Sequence, residues 1–303
     1  MSIQVQNATK LYGLQKALNN VSFEVASAEI VGFLGPNGAG KSTMMKIITC
    51  FIPPTSGKVN VCGFDIAEQS IDVRKNVGYL PEHNPLYLDM YVKEYLLFIA
   101  GLHQLAGNRV QRVKEMIDRT GLGIEQHKKI GALSKGYRQR VGLAQAMIHD
   151  PKVLILDEPT SGLDPNQLTE IRNLIKEIGK EKTVMLSTHI MQEVEAICNK
   201  VIIINKGEIV ANTTTHELRN NSGSKQIITV EFDKSISAQL LSSIIGVQSI
   251  ENTSGNNWKI TASGSVDIRP EIFQFAVQNN LTVLTINKTI QSLEEVFQQL
   301  TRL

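Results

Sequence analysis

The segment Gly35-Pro36-Asn37-Gly38-Ala39-Gly40-Lys41-Ser42 constrains this chain more than any other. It fits the spacing GxxxxGK[ST] in full, follows the apolar run Ile30 to Leu34 and precedes a helical run, Thr43 to Phe51. A strand, a glycine loop and a helix in that order form a cradle for phosphate. The glycines let backbone N–H groups approach phosphate oxygens, and the helix start adds a partial positive charge. Lys41 is placed to reach the outer phosphates and the Ser42 hydroxyl to hold Mg²⁺. An ordinary glycine turn between strand and helix would require neither the lysine nor the hydroxyl.

The runs Val153 to Leu156, Val184 to Leu186 and Val201 to Ile204 are short, almost wholly apolar and rich in Val and Ile. Such runs suit parallel strands covered on both faces. Helical patterns lie between them. In Asn108 to Thr120, Val110, Val113 and Ile117 recur at spacings of three and four, which predicts one buried helix face. Strands alternating with helices imply a wound α/β domain. Near the start, Ile3 to Val5 reads as a half-buried strand.

Val153 to Leu156 ends in Asp157 and Glu158. A strand with no solvent face must release these acids at its carboxyl end, where ligands sit in open α/β sheets. Asp157 is the candidate for positioning Mg²⁺, and Glu158 for orienting and deprotonating an attacking water. Ser187-Thr188-His189 closes another apolar strand, and His189 is a candidate contact to the γ-phosphate.

Past Arg219 to Lys225 the pattern changes. That stretch is polar, contains glycine and lacks apolar periodicity, so it reads as a linker. Beyond it the expected order is strand (Ile227 to Phe232), helix (Ile236 to Ile245), strand (Val247 to Ile250), strand (Trp258 to Thr261), helix (Ile268 to Gln278), strand (Leu281 to Ile286) and helix (Ile290 to Leu300). This suits a small split βαβ, ferredoxin-like domain with one extra helix.

Composition narrows the function classes. The chain has 303 residues, 42% hydrophobic and 20% charged, with a net charge of +2. This excludes a disordered or low-complexity chain and argues against a general nucleic-acid binder. Apolar stretches such as Tyr95 to Leu102 fall far short of the roughly 18 residues of a membrane span. The opening MSIQVQNATK lacks a basic stretch before an apolar core, so no signal peptide is expected. Cys50, Cys62 and Cys198 are scattered and read as reduced, buried thiols of a cytoplasmic protein.

Leu133-Ser134-Lys135-Gly136-Tyr137-Arg138-Gln139-Arg140, between the phosphate loop and the acids, resembles the signature of ABC-transporter ATP-binding subunits. Ser161-Gly162-Leu163-Asp164 is similar to that family's D-loop, His189 to its switch histidine and Tyr12 to the aromatic that stacks on adenine. The resemblance implies an α/β P-loop NTPase, an ABC cassette over residues 1–218 with a helical subdomain at about 86–150. A linker (219–225) and a C-terminal α+β accessory or regulatory domain (226–303) would follow.

The implied cofactors are ATP and Mg²⁺. ATP would be held by Tyr12, Gly35, Pro36, Asn37, Gly38, Ala39, Gly40, Lys41, Ser42, Thr43 and Glu82, and Mg²⁺ by Ser42, Asp157 and Glu82, with Lys41, Glu158 and His189 catalytic. In a head-to-tail dimer, Ser134, Gly136 and Asp164 would reach the nucleotide of a second copy. Ser134 suits an N-cap for the helix Gly136 to Met147, so its hydroxyl and the helix start would face that γ-phosphate. Two positions depart from the family pattern. Lys135 and Tyr137 replace the third and fifth residues of LSGGQ, and Glu82 stands where a glutamine is usual, adding negative charge beside the triphosphate.

Gly78 to Tyr87, with LSKGYRQR, is similar to the ABC-2-type exporter branch and to gliding-motility-associated ATP-binding subunits. That implies a separate integral-membrane permease, with this chain peripheral on the cytoplasmic face of the bacterial inner membrane. The apolar, aromatic stretch 83–105 would form a groove for a short permease helix. Two other classes remain in view. A soluble ABC ATPase of translation or repair usually carries two cassettes or long coiled coils, and a nucleotide sensor would need neither Glu158 nor His189.

Overall fold

Every residue of Ile30–Leu34, Val153–Asp157 and Thr183–Thr188 is buried. Strands without a solvent face must sit inside a layered sheet. The computed structural model describes residues 1–105, 107–221, 226–262, 267–290 and 293–301. It divides into two units, Met1–Thr215 and His216–Leu303.

The first unit begins β1 (Ile3–Tyr12), β2 (Gln15–Val25), β3 (Ile30–Leu34), α1 (Lys41–Ile48), β4 (Ser56–Val61), β5 (Phe64–Asp65), α2 (Ser70–Asn76) and β6 (Val77–Leu80). It continues α3 (Val92–Leu102), α4 (Arg109–Arg119), α5 (Lys135–Met147), β7 (Val153–Asp157), α6 (Pro165–Gly179), β8 (Thr183–Thr188), α7 (Met191–Ile197), β9 (Lys200–Asn205) and β10 (Glu208–Thr214). Six strands form one sheet in the order β10-β9-β3-β8-β7-β6. Its strands run parallel except β10, which pairs antiparallel with β9. β3, β8 and β7 are neighbours, so the loop after β3 and the acids after β7 emerge at the same edge.

A second, antiparallel sheet, β2-β1-β4-β5, extends beyond the single strand expected at Ile3 to Val5. Its alternation is broken by Asn7 and Asn20, both at positive φ, and by register shifts in β1, which hide the period from the sequence. α1 packs against strands of both sheets. Its Met44, Met45, Ile47 and Ile48 share one core with Val5, Leu18, Phe33, Val59, Ile155 and Met185. Each such side chain contributes about 1.5–3 kcal/mol by leaving water. The helix carrying the phosphate loop is thereby fixed between two layers.

Several expected elements shift. α1 starts at Lys41 rather than Thr43 and stops at Ile48, shortly before Cys50 turns to φ +58°. α4 buries Val113, Met116 and Ile117, whereas Val110 is 55% exposed. Val110 lies in the first turn, beyond the packed face. Its N-cap is Asn108, which accepts the Gln111 amide. Of the cysteines only Cys198 is buried; Cys50 and Cys62 are half-buried, because they lie in turns.

The chain then forms α8 (Thr215–Asn221), β11 (Gln226–Phe232), α9 (Ala238–Leu241), β12 (Val247–Ser254), β13 (Asn257–Ala262), α10 (Arg269–Gln278), β14 (Val283–Ile290) and α11 (Leu293–Thr301). The first residues of the expected linker 219–225 are helical, and residues 222–225 lie outside the described residues. The sheet order β12-β13-β11-β14, antiparallel throughout, is that of a split βαβ domain. Its core joins Val230, Phe232, Trp258 and Ile260 to Ile272 and Phe275 of α10. α9 is much shorter than the expected Ile236 to Ile245. The last strand runs on to Ile290, so the final helix begins later than expected.

Candidate functional site

The phosphate loop leaves β3 with the Gly35 amide bonded to the Thr188 carbonyl at 3.3 Å. Gly40 has φ +111°, and a Cβ there would lie 2.5 Å from the Ala17 carbonyl oxygen. Only glycine fits that turn into α1. Lys41, the first residue of α1, is 6% exposed. Its Nζ donates to the carbonyls of Gly35 at 2.8 Å and Pro36 at 3.2 Å, and lies 3.6 Å from Glu158 Oε1. Burial pushes the ammonium pKa down, opposed by the charges of Glu158, Asp157 and Glu82.

The acids are held from β8. Asp157 pairs in register with Ser187. Ser187 Oγ donates to Asp157 Oδ1 and accepts the Glu158 amide at 3.0 Å. Ser42 Oγ donates to the same Asp157 oxygen at 3.2 Å. Glu158 adopts φ +50°, an unfavourable region for a residue with a Cβ. The left-handed turn brings its buried carboxylate to Lys41 on one side and His189 on the other. His189 Nδ1 donates to Oε2 at 3.0 Å and Oε1 at 3.1 Å.

These groups surround a cleft of about 560 Å³. Tyr12, Asn37, Gly38, Gly40, Lys41, Ser42, Thr43, Glu82, Glu158 and His189 line it. Asp157 stands behind Ser42; Gly35 and Pro36 hold Lys41 through their carbonyls, and Ala39 is buried. Tyr12 is half exposed, with Lys10 Nζ 5.5 Å from its ring centre. Ser134, Gly136 and Asp164 do not line the cleft. Ser134 caps α5 by accepting the Tyr137 amide, and Asp164 caps α6 by accepting those of Asn166 and Gln167. Ser134 and Asp164 are exposed; Gly136 is buried against Gln167.

Sequence reasoning missed Gln15, Ala17 and Ser161 in the lining, the bridging hydroxyl of Ser187, and the buried Glu193. Glu193 had a signal: it is an acid among Met191, Val194 and Ile197 on a helix that otherwise buries apolar residues. For a cation, the donor set is a hydroxyl and a carboxylate on one hydrogen bond, with Glu82 in the same cleft. Among the described residues no cluster of three or more His, Cys, Asp or Glu could hold a metal alone. The set fits a hard cation that takes its remaining oxygens from phosphates and water.

A glycine cradle, a buried lysine, two acids and a histidine at the carboxyl edge of a parallel sheet define a P-loop nucleoside triphosphatase. The family model described as ABC transporter matches residues 18–161, and that of the ATP-binding protein DrrA1-3-like, C-terminal domain, matches 214–301. The ABC transporter ATP-binding protein YdbJ of Bacillus subtilis (strain 168) is 34% identical over 297 residues, spanning 97% of this chain and 94% of that protein. The bacitracin transport ATP-binding protein BcrA of Bacillus licheniformis is 31% identical over 309 residues, spanning 98% and 96%. The dimeric, post-hydrolysis structure of the ATP-binding cassette MJ0796 bound to ADP and Pi superposes with a TM-score of 0.64 at 26% identity, over 70% of this chain and 98% of that one. The chain belongs to the ABC transporter ATP-binding proteins, whose cassettes bind ATP and couple its hydrolysis to transport.

Proposed function

We propose that this chain drives export through a separate integral-membrane permease, as a head-to-tail homodimer on the cytoplasmic face of the inner membrane. The observation that carries the hydrolytic part is the convergence of Lys41 and His189 on the Glu158 carboxylate, all three lining the cleft. ATP entering the loop offers its outer phosphate oxygens to Lys41, which exchanges the carbonyls of Gly35 and Pro36 for them. Glu158, released from that ion pair, accepts a proton from the attacking water. Water oxygen bonds to the γ-phosphorus as the bond to the β-bridging oxygen breaks, leaving ADP and phosphate. His189, whose Nδ1 donates to Glu158, lines the same cleft beside the place the γ-phosphate would take. Ser42 and Asp157, with Glu82 beside them, would hold Mg²⁺, which would supply neutralisation of the triphosphate charge.

The exposed capping ends of α5 and α6 support the dimer: Ser134 and Asp164 are free to meet a second copy's nucleotide. Tyr87, Tyr91, Phe98 and Leu102 support the permease contact, being between 41% and 63% exposed. The Tyr87 ring lies 5.8 Å from Phe98 and 5.9 Å from Tyr95, an aromatic surface suited to a short apolar helix. The transport name of BcrA favours this reading over a soluble translation or repair role.

Coexpression with any polytopic membrane protein whose gene adjoins this one is the test. Copurification and faster ATP hydrolysis in the complex support the proposal; absence of association overturns the transport role. Gliding motility, implied by the resemblance of Gly78 to Tyr87, is the narrower form. A deletion strain that spreads over surfaces like the parent overturns that part alone.

A further inference from the structure

Glu193 is 1% exposed, on the part of α7 that buries Met191, Val194 and Ile197. A carboxylate in such surroundings is costly unless its oxygens are satisfied. Here both are satisfied, one from the loop after β7 and one from the last residue of β8. Thr160 Oγ1 donates to Oε1, and Thr188 Oγ1 donates to Oε2 at 2.6 Å. Thr188 Oγ1 also accepts the Ile190 amide at 3.1 Å, so the hydroxyl is oriented. Thr160 lies two residues after Glu158; Thr188 immediately precedes His189.

We infer that Glu193 is a positioning residue for ATP hydrolysis, clamping the loop that carries Glu158 to the loop that carries His189. The inference rests on the reading of Glu158 as the base. Glu158 is bracketed by two ties to the end of β8. Before it, Ser187 holds Asp157 and the Glu158 amide; after it, Glu193 holds Thr160 against Thr188. A residue at φ +50° keeps that conformation only where its surroundings over-determine it. Removing Glu193 frees the far side of the turn. The backbone can then relax and carry the carboxylate away from His189 Nδ1 and from the attacking water. Of the nucleotide-binding groups, the Gly35 amide bonds the main-chain carbonyl of Thr188, a contact that all three variants below keep, while the side-chain bonds described for Lys41 go to Gly35, Pro36 and Glu158.

The test compares the full chain with Glu193→Ala, Thr160→Val and Thr188→Val in steady-state ATP hydrolysis, per folded, nucleotide-binding site. Glu193→Ala lowers kcat by about tenfold to a hundredfold, the scale of an ångström of misplacement, with KM for ATP changed less than about twofold. Each valine variant lowers kcat less, and together they lower it no more than Glu193→Ala, because one carboxylate serves both hydroxyls. Should Glu193→Ala fail to fold, the two valine variants, close in size to threonine, decide the matter. Parent-like kcat in the variants, or a loss carried by KM or by the folded fraction, overturns the clamp. Glu158→Gln runs in the same series. If it hydrolyses like the parent, the base assignment fails. If it is inert while the clamp variants turn over normally, only the clamp fails.

Discussion

His189 Nδ1 lies 3.0 Å from Glu158 Oε2, while Lys41 Nζ lies 3.6 Å from Glu158 Oε1. A single buried carboxylate therefore links the phosphate-loop lysine to the histidine that closes the neighbouring strand. In the proposed mechanism Glu158 stays paired with Lys41 until phosphate competes for that cation, which would tie activation of water to arrival of nucleotide.

Glu158→Gln preserves the size of the side chain and removes its basicity. We expect hydrolysis to fall by about 10²- to 10⁴-fold, with ATP affinity near that of the parent. Phosphate release and binding of a fluorescent ATP analogue measure the two quantities separately. Turnover at the parental rate would show that another group takes the proton.

Lys41→Ala removes the one lysine or arginine within 4 Å of Glu158 among the described residues. ATP affinity should drop at least about tenfold, the worth of one charge-assisted contact. Equilibrium binding of the same analogue checks this, and unchanged affinity would exclude the loop as the phosphate site.

Gly78→Ala should destabilise the fold without touching the cleft. A Cβ at Gly78 would lie 2.0 Å from the Ala146 carbonyl oxygen and 2.6 Å from Leu154 Cδ2, so α5 would have to move off β6. The expected loss is about 2–3 kcal/mol, read from urea unfolding. A variant as stable as the parent would mean that α5 and β6 are not in this close contact.

Stability should decline on acidification through His149. Its ring stacks on His103 with centres 4.0 Å apart, and its Nε2 bonds the Val77 carbonyl at 3.1 Å. Burial, aided by His103 and Lys182 and opposed by the Val77 bond and Asp150, pushes its pKa down to about 4. The unfolded value is about 6.5. Between those values the unfolded chain binds a proton that the folded chain refuses, so stability is lost as pH falls through the window. The loss is on the order of 2 kcal/mol, allowing for partial exposure. His149→Phe keeps a stacked ring and cannot titrate. Urea unfolding at pH 7 and pH 5 should show a smaller difference for the variant, and an equal difference would clear His149 of the effect.

The phosphate loop, the buried strand ending in Asp157 and Glu158, and the Ser134 helix cap depend on residues close in the chain. Periodicity and short spacings therefore reveal them. Val110 shows where that reasoning stops. It shares the spacing of Val113 and Ile117, yet is exposed, because the extent of the buried face depends on neighbouring elements. The second sheet escaped detection for a related reason: bulges and positive-φ asparagines erase the two-residue period.

By itself the sequence determined the chemistry available: a cradle for phosphate, a lysine, two acids and a histidine. The tertiary structure decided which of these meet. Ser42 and Asp157 are 115 residues apart, and Glu158 and His189 are 31 apart. They come together because β3, β8 and β7 hydrogen-bond as neighbours in register. That order follows from burying apolar strands between packed layers, a condition on the whole chain that no local pattern encodes. The pairing of Glu193 belongs to that second category, since its two partners become neighbours only when β7 lies beside β8.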